Sequence, residues 1–263
     1  VTTAFAPSET REDRLFGGRV RLVQPLKGYR AATDPVLLAA AVPARVGEAV
    51  LDLGCGAGAA AFCLAARVPG VALHGLEIQP AYLALAAQNA RLNGVEIALH
   101  EGDVAALPRG LRQLAFDHVM LNPPYHDSTA IASPVAGRDR AHRERSGEGG
   151  ADLAAWIGAA LARLKPKGWL TVIHRAERVP ELLSLLDGPA GAIAMLPLVP
   201  REGRDAGRVI VRARKAARGP FRLLSPLVIH AGSKHLRDEE DFSPEAAATL
   251  RDAAALDFKE GRA

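Results

Sequence analysis

Val50-Leu51-Asp52-Leu53-Gly54-Cys55-Gly56-Ala57-Gly58 sets three glycines between an apolar run and an alanine-rich segment. A buried strand ending in glycines can turn sharply into a helix, and a ligand can then approach the backbone at the helix N-terminus. Working outward, a helix is expected to about Arg67, then a strand over residues 71–76, a helix over 80–92, strands over 97–99 and 116–121, a helix over 153–164 and a strand over 169–173. Strands alternating with helices of this length predict βαβ units and a doubly wound, mostly parallel α/β sheet. Past residue 177, a helix over 179–186 and strands over 192–196, 208–213 and 221–229 predict an antiparallel pair at one sheet edge. Upstream, Leu15 to Pro25 alternates around Gly17-Gly18 as a small hairpin, and Thr33-Asp34-Pro35 opens a helix. Residues 1–14 lack periodicity and read as a flexible arm. Residues 15–232 read as one domain, with the front hairpin and helix in 15–45, and residues 233–263 as a tail of unassigned role.

Of 263 residues, 49% are apolar and 24% charged, which argues against long disorder, fibrous structure and a disulfide scaffold. No run approaches the roughly eighteen apolar residues of a membrane helix, and residues 1–14 hold no apolar core of the signal-peptide kind. A cytoplasmic protein with no membrane partner is expected. Cys55 and Cys63 are too few for a four-ligand zinc site and read as reduced core thiols. The net charge of +4, from 33 basic and 29 acidic residues, permits an anionic partner without requiring one.

The ligand of the glycine turn is ambiguous at first. Gly54, Gly56 and Ala59 satisfy G-x-G-x-x-G/A, and Glu77 lies 23 residues beyond Gly54, near the spacing of a ribose-binding acid. This criterion admits NAD and S-adenosylmethionine alike. Asp52 tips the choice, because a strand carboxylate just before the glycines suits an ammonium and a sulfonium better than an anionic pyrophosphate. The segment resembles the first motif of class I S-adenosylmethionine-dependent methyltransferases. That resemblance implies a seven-stranded Rossmann-like sheet. Within it, Asp52, Gly54, Gly56 and Gly58 would hold the cofactor, Glu77 with Ile78 would meet the ribose, and Asp103 with Val104 the adenine. A glycine turn with nothing bound is the alternative.

Asn122-Pro123-Pro124-Tyr125 follows the strand expected at 116–121, at the same sheet edge. An exocyclic amine or an amide nitrogen is a poor nucleophile because its lone pair is delocalised. Acceptors placed around its N–H groups draw it toward a pyramidal form. Asn122 can present a side-chain carbonyl and Pro123 a backbone carbonyl held by rings that fix φ, while Tyr125 offers a face for stacking a flat base. No metal is needed, since a sulfonium already activates its methyl group, and catalysis rests on positioning. A rigid Pro-Pro turn with a packed tyrosine is the alternative.

This tetrad is shared by adenine-N6 methyltransferases of DNA and RNA, some guanine-N2 enzymes of ribosomal RNA, and glutamine methyltransferases acting on release factors. Phe16-Gly17-Gly18, Gln24-Pro25, Gly28-Tyr29-Arg30 and Thr33-Asp34-Pro35-Val36-Leu37-Leu38-Ala39-Ala40 resemble the opening of the bacterial tRNA (adenine-N6) methyltransferase family, whose members modify adenine 37 of a valine tRNA. About fifty residues precede the glycine turn and read as a hairpin and one helix, where glutamine enzymes carry a helical bundle. By the family pattern Gly28, Tyr29 and Asp34 would lie beside the cofactor, although helix capping would also explain Asp34.

Two basic segments suit a phosphate backbone. One holds Arg138, Arg140, Arg143 and Arg145; the other runs through Arg201, Arg204, Arg208, Arg212, Arg214, Lys215, Arg218 and Arg222. Arg138, Arg140, Arg143, Arg201 and Arg204 are the expected RNA contacts, with a solvated basic face as the alternative. His126, His142 and His174 read as structural or RNA-contacting, because amine methyl transfer does not need them. The expected protein is an RNA-binding methyltransferase, a monomer or weak dimer, that uses S-adenosylmethionine and no metal. Its rivals are the same chemistry on ribosomal RNA, DNA or protein glutamine, a nicotinamide-dependent oxidoreductase, and a non-catalytic RNA-binding protein.

Overall fold

Side-chain alternation along one short strand divides the core. In Ala49–Leu53 (β3), Val50 packs into one apolar cluster with Leu37, Phe62 and Ile173, while Leu51 and Leu53 pack into another with Val119, Val172 and Val211. A strand buried on both faces needs helices on both sides, as the doubly wound reading requires. Residues 4–124, 151–232 and 241–258 are described by the computed structural model.

Thr10–Leu15 (β1) and Val20–Pro25 (β2) pair antiparallel, Leu15 opposite Val20, around the turn at Phe16–Gly18. Residues 10–14 of the expected flexible arm are thus part of a paired strand. The strand carries Thr-Arg-Glu-Asp-Arg-Leu, with no fully buried position, and owes its order to pairing with β2 and to ion pairs such as Arg21–Glu12 at 2.8 Å. Such pairing leaves no hydrophobic period in the sequence.

The main sheet adds Ala72–Glu77 (β4), Ile97–Glu101 (β5), Phe116–Leu121 (β6), Leu164–Arg175 (β7), Ala190–Val199 (β8) and Arg208–Lys215 (β9), in the spatial order β8-β9-β7-β6-β3-β4-β5. These seven strands are the expected Rossmann-like sheet. The pairs among β7, β6, β3, β4 and β5 are parallel, and β9 runs antiparallel to both β7 and β8. The strand expected over 221–229 is instead two short pieces beside β8, Arg222–Leu223 (β10) and Leu227–Val228 (β11), separated around Pro226, which has no N–H to give to a ladder.

The helices are Thr33–Ala41 (α1), Ala59–Arg67 (α2), Pro80–Asn93 (α3), Arg109–Arg112 (α4), Leu153–Arg163 (α5), Val179–Leu186 (α6) and Pro244–Asp252 (α7). α7 starts at Ser243, whose hydroxyl accepts from the Ala246 N–H at 3.1 Å and donates to the Val228 carbonyl at 2.6 Å. Ala246, Leu250, Leu256 and Phe258 enter the first core cluster, so residues 243–258 are part of the fold and not a detached tail. Cys55 and Cys63 are both free and buried, as expected.

Candidate active site

Parallel register brings the ends of four strands to one edge, with Leu53 opposite both Leu76 and Leu121, and Glu77 opposite Glu101. The Gly54 and Cys55 N–H groups both donate to the Leu76 carbonyl, at 2.8 and 2.9 Å, closing the turn after β3. The three glycines have different tasks. A Cβ at Gly54 would meet the Trp156 ring at 2.6 Å and one at Gly58 the Phe62 ring at 2.2 Å, so both are demanded by packing. Gly56, at φ +55, faces open space with nothing within 4 Å, and is the glycine at which a ligand can meet the backbone.

Two buried carboxylates stand beside it. Asp52 is 3% exposed, and its Oδ2 has no hydrogen-bond partner among the described residues. Burial pushes its carboxyl up to about 7, opposed by the Ala61 N–H and reinforced by the charge of Glu77. Glu77 is also raised by burial; its Oε2 accepts from the Gly56 N–H at 3.0 Å and its Oε1 from the Gln79 N–H at 2.9 Å. Asp103, two residues past β5, accepts the Ala105 N–H at 2.9 Å. Ile78 projects at the rim with 55% exposure, whereas Val104 is a core residue packed with Leu76 and Leu111. An orphaned buried carboxylate oxygen, a second carboxylate and an open glycine fit a cationic ligand.

The tetrad joins this edge through Tyr29. The Asn122 amide Nδ2 donates to the Tyr29 hydroxyl at 3.2 Å, and the Tyr82 hydroxyl donates to the Tyr29 carbonyl at 3.1 Å. Tyr29 is therefore held at its backbone and touches the first residue of the tetrad. Burial, then the charges of Asp34 and Asp52, push its hydroxyl well above the usual phenol range. Gly28, at φ +110, precedes it in an exposed turn. Pro123 is buried and Pro124 exposed; Tyr125 lies outside the described residues. Asp34 is in the first turn of α1 and does not cap it, since the N-cap is Ala32; its Oδ2 meets Arg208 Nε at 3.0 Å. The capping explanation is thereby set aside.

Residues 32–139 match the methyltransferase small domain family. The match covers less than half of the chain. Within that match fall Asp34, Asp52, the glycine turn, Glu77, Asp103 and Asn122. Over 139 residues the chain is 36% identical to the release factor glutamine methyltransferase of Geobacter sulfurreducens, covering 50% of this chain and 48% of that protein. The tRNA1(Val) (adenine(37)-N6)-methyltransferase of Actinobacillus succinogenes is 28% identical over 189 residues, covering 71% of this chain and 77% of its own. A solved structure from Agrobacterium tumefaciens, described as a predicted O-methyltransferase, matches with a TM-score of 0.68 and 27% identity over 84% of this chain and 97% of that one. The chain spans about half the length of the release factor relatives it matches.

The basic residues are not gathered at one place. Arg138, Arg140, Arg143, His126 and His142 lie outside the described residues. Because β9 runs antiparallel to β7, Arg208 lies opposite Arg175 at the site edge and Arg214 opposite Trp169 at the far end. The second basic segment is thus divided between the two ends of the sheet. Arg201 and Arg204 lie in the β8–β9 connection at the site edge. The Arg201 guanidinium meets Asp241 at 2.6 Å and donates to the Ala231 carbonyl at 2.7 Å. His174 is buried, accepts the Arg175 N–H at 2.8 Å and is pushed down to about 4 by burial and then Arg178, in keeping with its structural reading.

Sequence reasoning missed Asn89, which is fully buried. Its Oδ1 accepts the Val23 N–H at 2.7 Å, and its Nδ2 donates to the Val23 and Ala57 carbonyls, each at 3.0 Å. One side chain thereby ties the front hairpin to the glycine turn. Asn93, one helical turn on, repeats the pattern on the Arg21 backbone. The spacing of these two asparagines in an alanine-rich helix was the available signal.

Proposed function

We propose that the protein is an S-adenosylmethionine-dependent N-methyltransferase that methylates N6 of adenine in RNA, with adenine 37 of a valine tRNA as the specific target. The observation that carries this reading is Asn122, anchored by Tyr29 at the same strand edge as the orphaned Asp52 carboxylate and the open Gly56. Asp52 and Glu77 would hold the positive end and the ribose of the cofactor, and Asp103 its adenine. When bound, that cofactor supplies an electrophilic methyl group on a sulfonium.

The chain's own residues position the acceptor. Nδ2 of Asn122 donates to Tyr29, and the amide carbonyl would serve as an acceptor for the substrate amine. There it and the Pro123 backbone carbonyl accept the two N–H groups of an exocyclic amine, and the nitrogen lone pair is directed at the methyl carbon. Asn122 and Pro123 would hold the amine while it receives the methyl group, and the amine proton would then leave to solvent. Arg204 would meet a phosphate, and Tyr125 would supply the stacking face.

Glutamine in a protein is the second reading, favoured by the 36% identity to a release factor enzyme. The adenine reading is supported by the reach of its relative, which aligns along 71% of this chain and 77% of its own length. Incubation with labelled S-adenosylmethionine and either bacterial RNA or bacterial protein distinguishes the two. Label is expected in RNA and lost in Asn122→Ala; label in protein alone would overturn the adenine assignment.

A further inference from the structure

Two residues of the second basic segment face a different part of the molecule. Arg212 and Arg214, about 13 and 20 Å along the sheet from the site edge at strand rise, line a cavity of about 440 Å³ together with Arg45, Lys165, Lys167 and Trp169. Glu48 and Asp117 also line it, but both are engaged. Glu48 meets His118 at 2.7 Å and accepts the Arg45 N–H at 2.8 Å, and Asp117 meets Lys165 at 2.8 Å and accepts the Ala49 N–H at 2.9 Å. Arg45, Lys167, Arg212 and Arg214 make no salt bridge among the described residues.

Arg212 is the best-prepared of these cations. Its guanidinium carbon lies 4.8 Å from the Trp169 ring centroid and 4.5 Å from that of Phe258, and its buried Nε has no hydrogen-bond partner among the described residues. Burial, then the charges of Arg222 and Arg67, push it down to about 10, with Asp257 offsetting part of the effect. A planar fork held against aromatic faces with unspent donors matches an oxyanion. Arg214 approaches the same Trp169 ring at 5.4 Å.

The backbone at the rim is irregular in the same place. Lys167 adopts φ +65, a Cβ at Gly168 would meet the Asp117 carbonyl at 2.9 Å, and the β6–β7 register shifts between Phe116 and His118. Such a bulge re-aims side chains, here two lysines flanking Pro166.

We propose that this cavity is a second binding site, which takes a phosphate group supplied by a nucleic-acid backbone or by free phosphate or pyrophosphate. The proposal stands apart from the methyl-transfer reading and uses none of its residues. Arg212→Gln tests the central guanidinium, and the double variant Arg45→Ser/Arg214→Ser removes two exposed cations without disturbing the core; thermal melting verifies that both fold. Inorganic pyrophosphate is titrated by calorimetry, and a single-stranded RNA oligonucleotide by fluorescence anisotropy at two salt concentrations. Loss of a charge-assisted contact predicts a drop of about tenfold in phosphate affinity in each variant. A fall in RNA affinity with a shallower salt slope assigns the phosphate to nucleic acid, and unchanged RNA affinity beside lost pyrophosphate binding assigns it to a free ligand. The site is overturned if folded variants bind both pyrophosphate and RNA as the wild type does, or if the wild type binds neither.

Discussion

Asp52 carries the charge argument at the scale of one residue. Its carboxyl, raised to about 7, holds a proton that a cationic ligand must displace. Binding therefore releases a proton below that pH. Affinity for S-adenosylmethionine should rise with pH, by up to about tenfold per unit below 7, and level off above it. Asp52→Asn should flatten this dependence and weaken binding at pH 8. Calorimetry in buffers of different ionisation enthalpy counts the protons, and a pH-independent wild type would count against the cationic ligand. Tyr29→Phe removes the oxygen that accepts from Asn122. Turnover should fall about tenfold, the cost of one hydrogen bond that aligns the reacting group, with cofactor affinity nearly unchanged. Equal losses in both would place Tyr29 on the cofactor instead.

Elements explain why some of this was legible in sequence and some was not. β6 and α6 match their expected bounds because apolar periodicity and turn residues marked both ends. The glycine turn, Glu77, Asp103 and Asn122 could be placed at one edge because parallel strands all end there. By contrast, the direction of β9 is invisible in its composition, and that direction alone sends Arg208 to one end of the sheet and Arg214 to the other. The charged strand β1 likewise has no period to read, and its anchor is a helix seventy residues away in the chain, through Asn89 and Asn93 on β2. Asn89→Leu should strand the Val23 and Ala57 backbone groups, costing about 2–4 kcal/mol of stability in chemical denaturation. A loss below about 0.5 kcal/mol would show that the hairpin is held by packing alone.

At the scale of the whole molecule, the sheet has two chemically distinct ends. One gathers two buried carboxylates, an open glycine and Asn122; the other gathers unneutralised cations around Trp169. The modest net charge of +4 conceals this division. The front hairpin, α1 and residues 243–258 brace the first end: Asp34 holds Arg208, and the Leu256 N–H donates to the Ala40 carbonyl at 2.9 Å. Methyl transfer to an adenine amine at the Asn122 edge is tested by mass spectrometry of nucleosides from tRNA of a strain lacking this protein, after incubation with labelled S-adenosylmethionine and either wild-type protein or Asn122→Ala. Labelled N6-methyladenosine is expected with the wild type, and a loss of at least about a hundredfold with the variant. Labelled methyl on any other nucleoside, or none in RNA with label on protein glutamine, would contradict it.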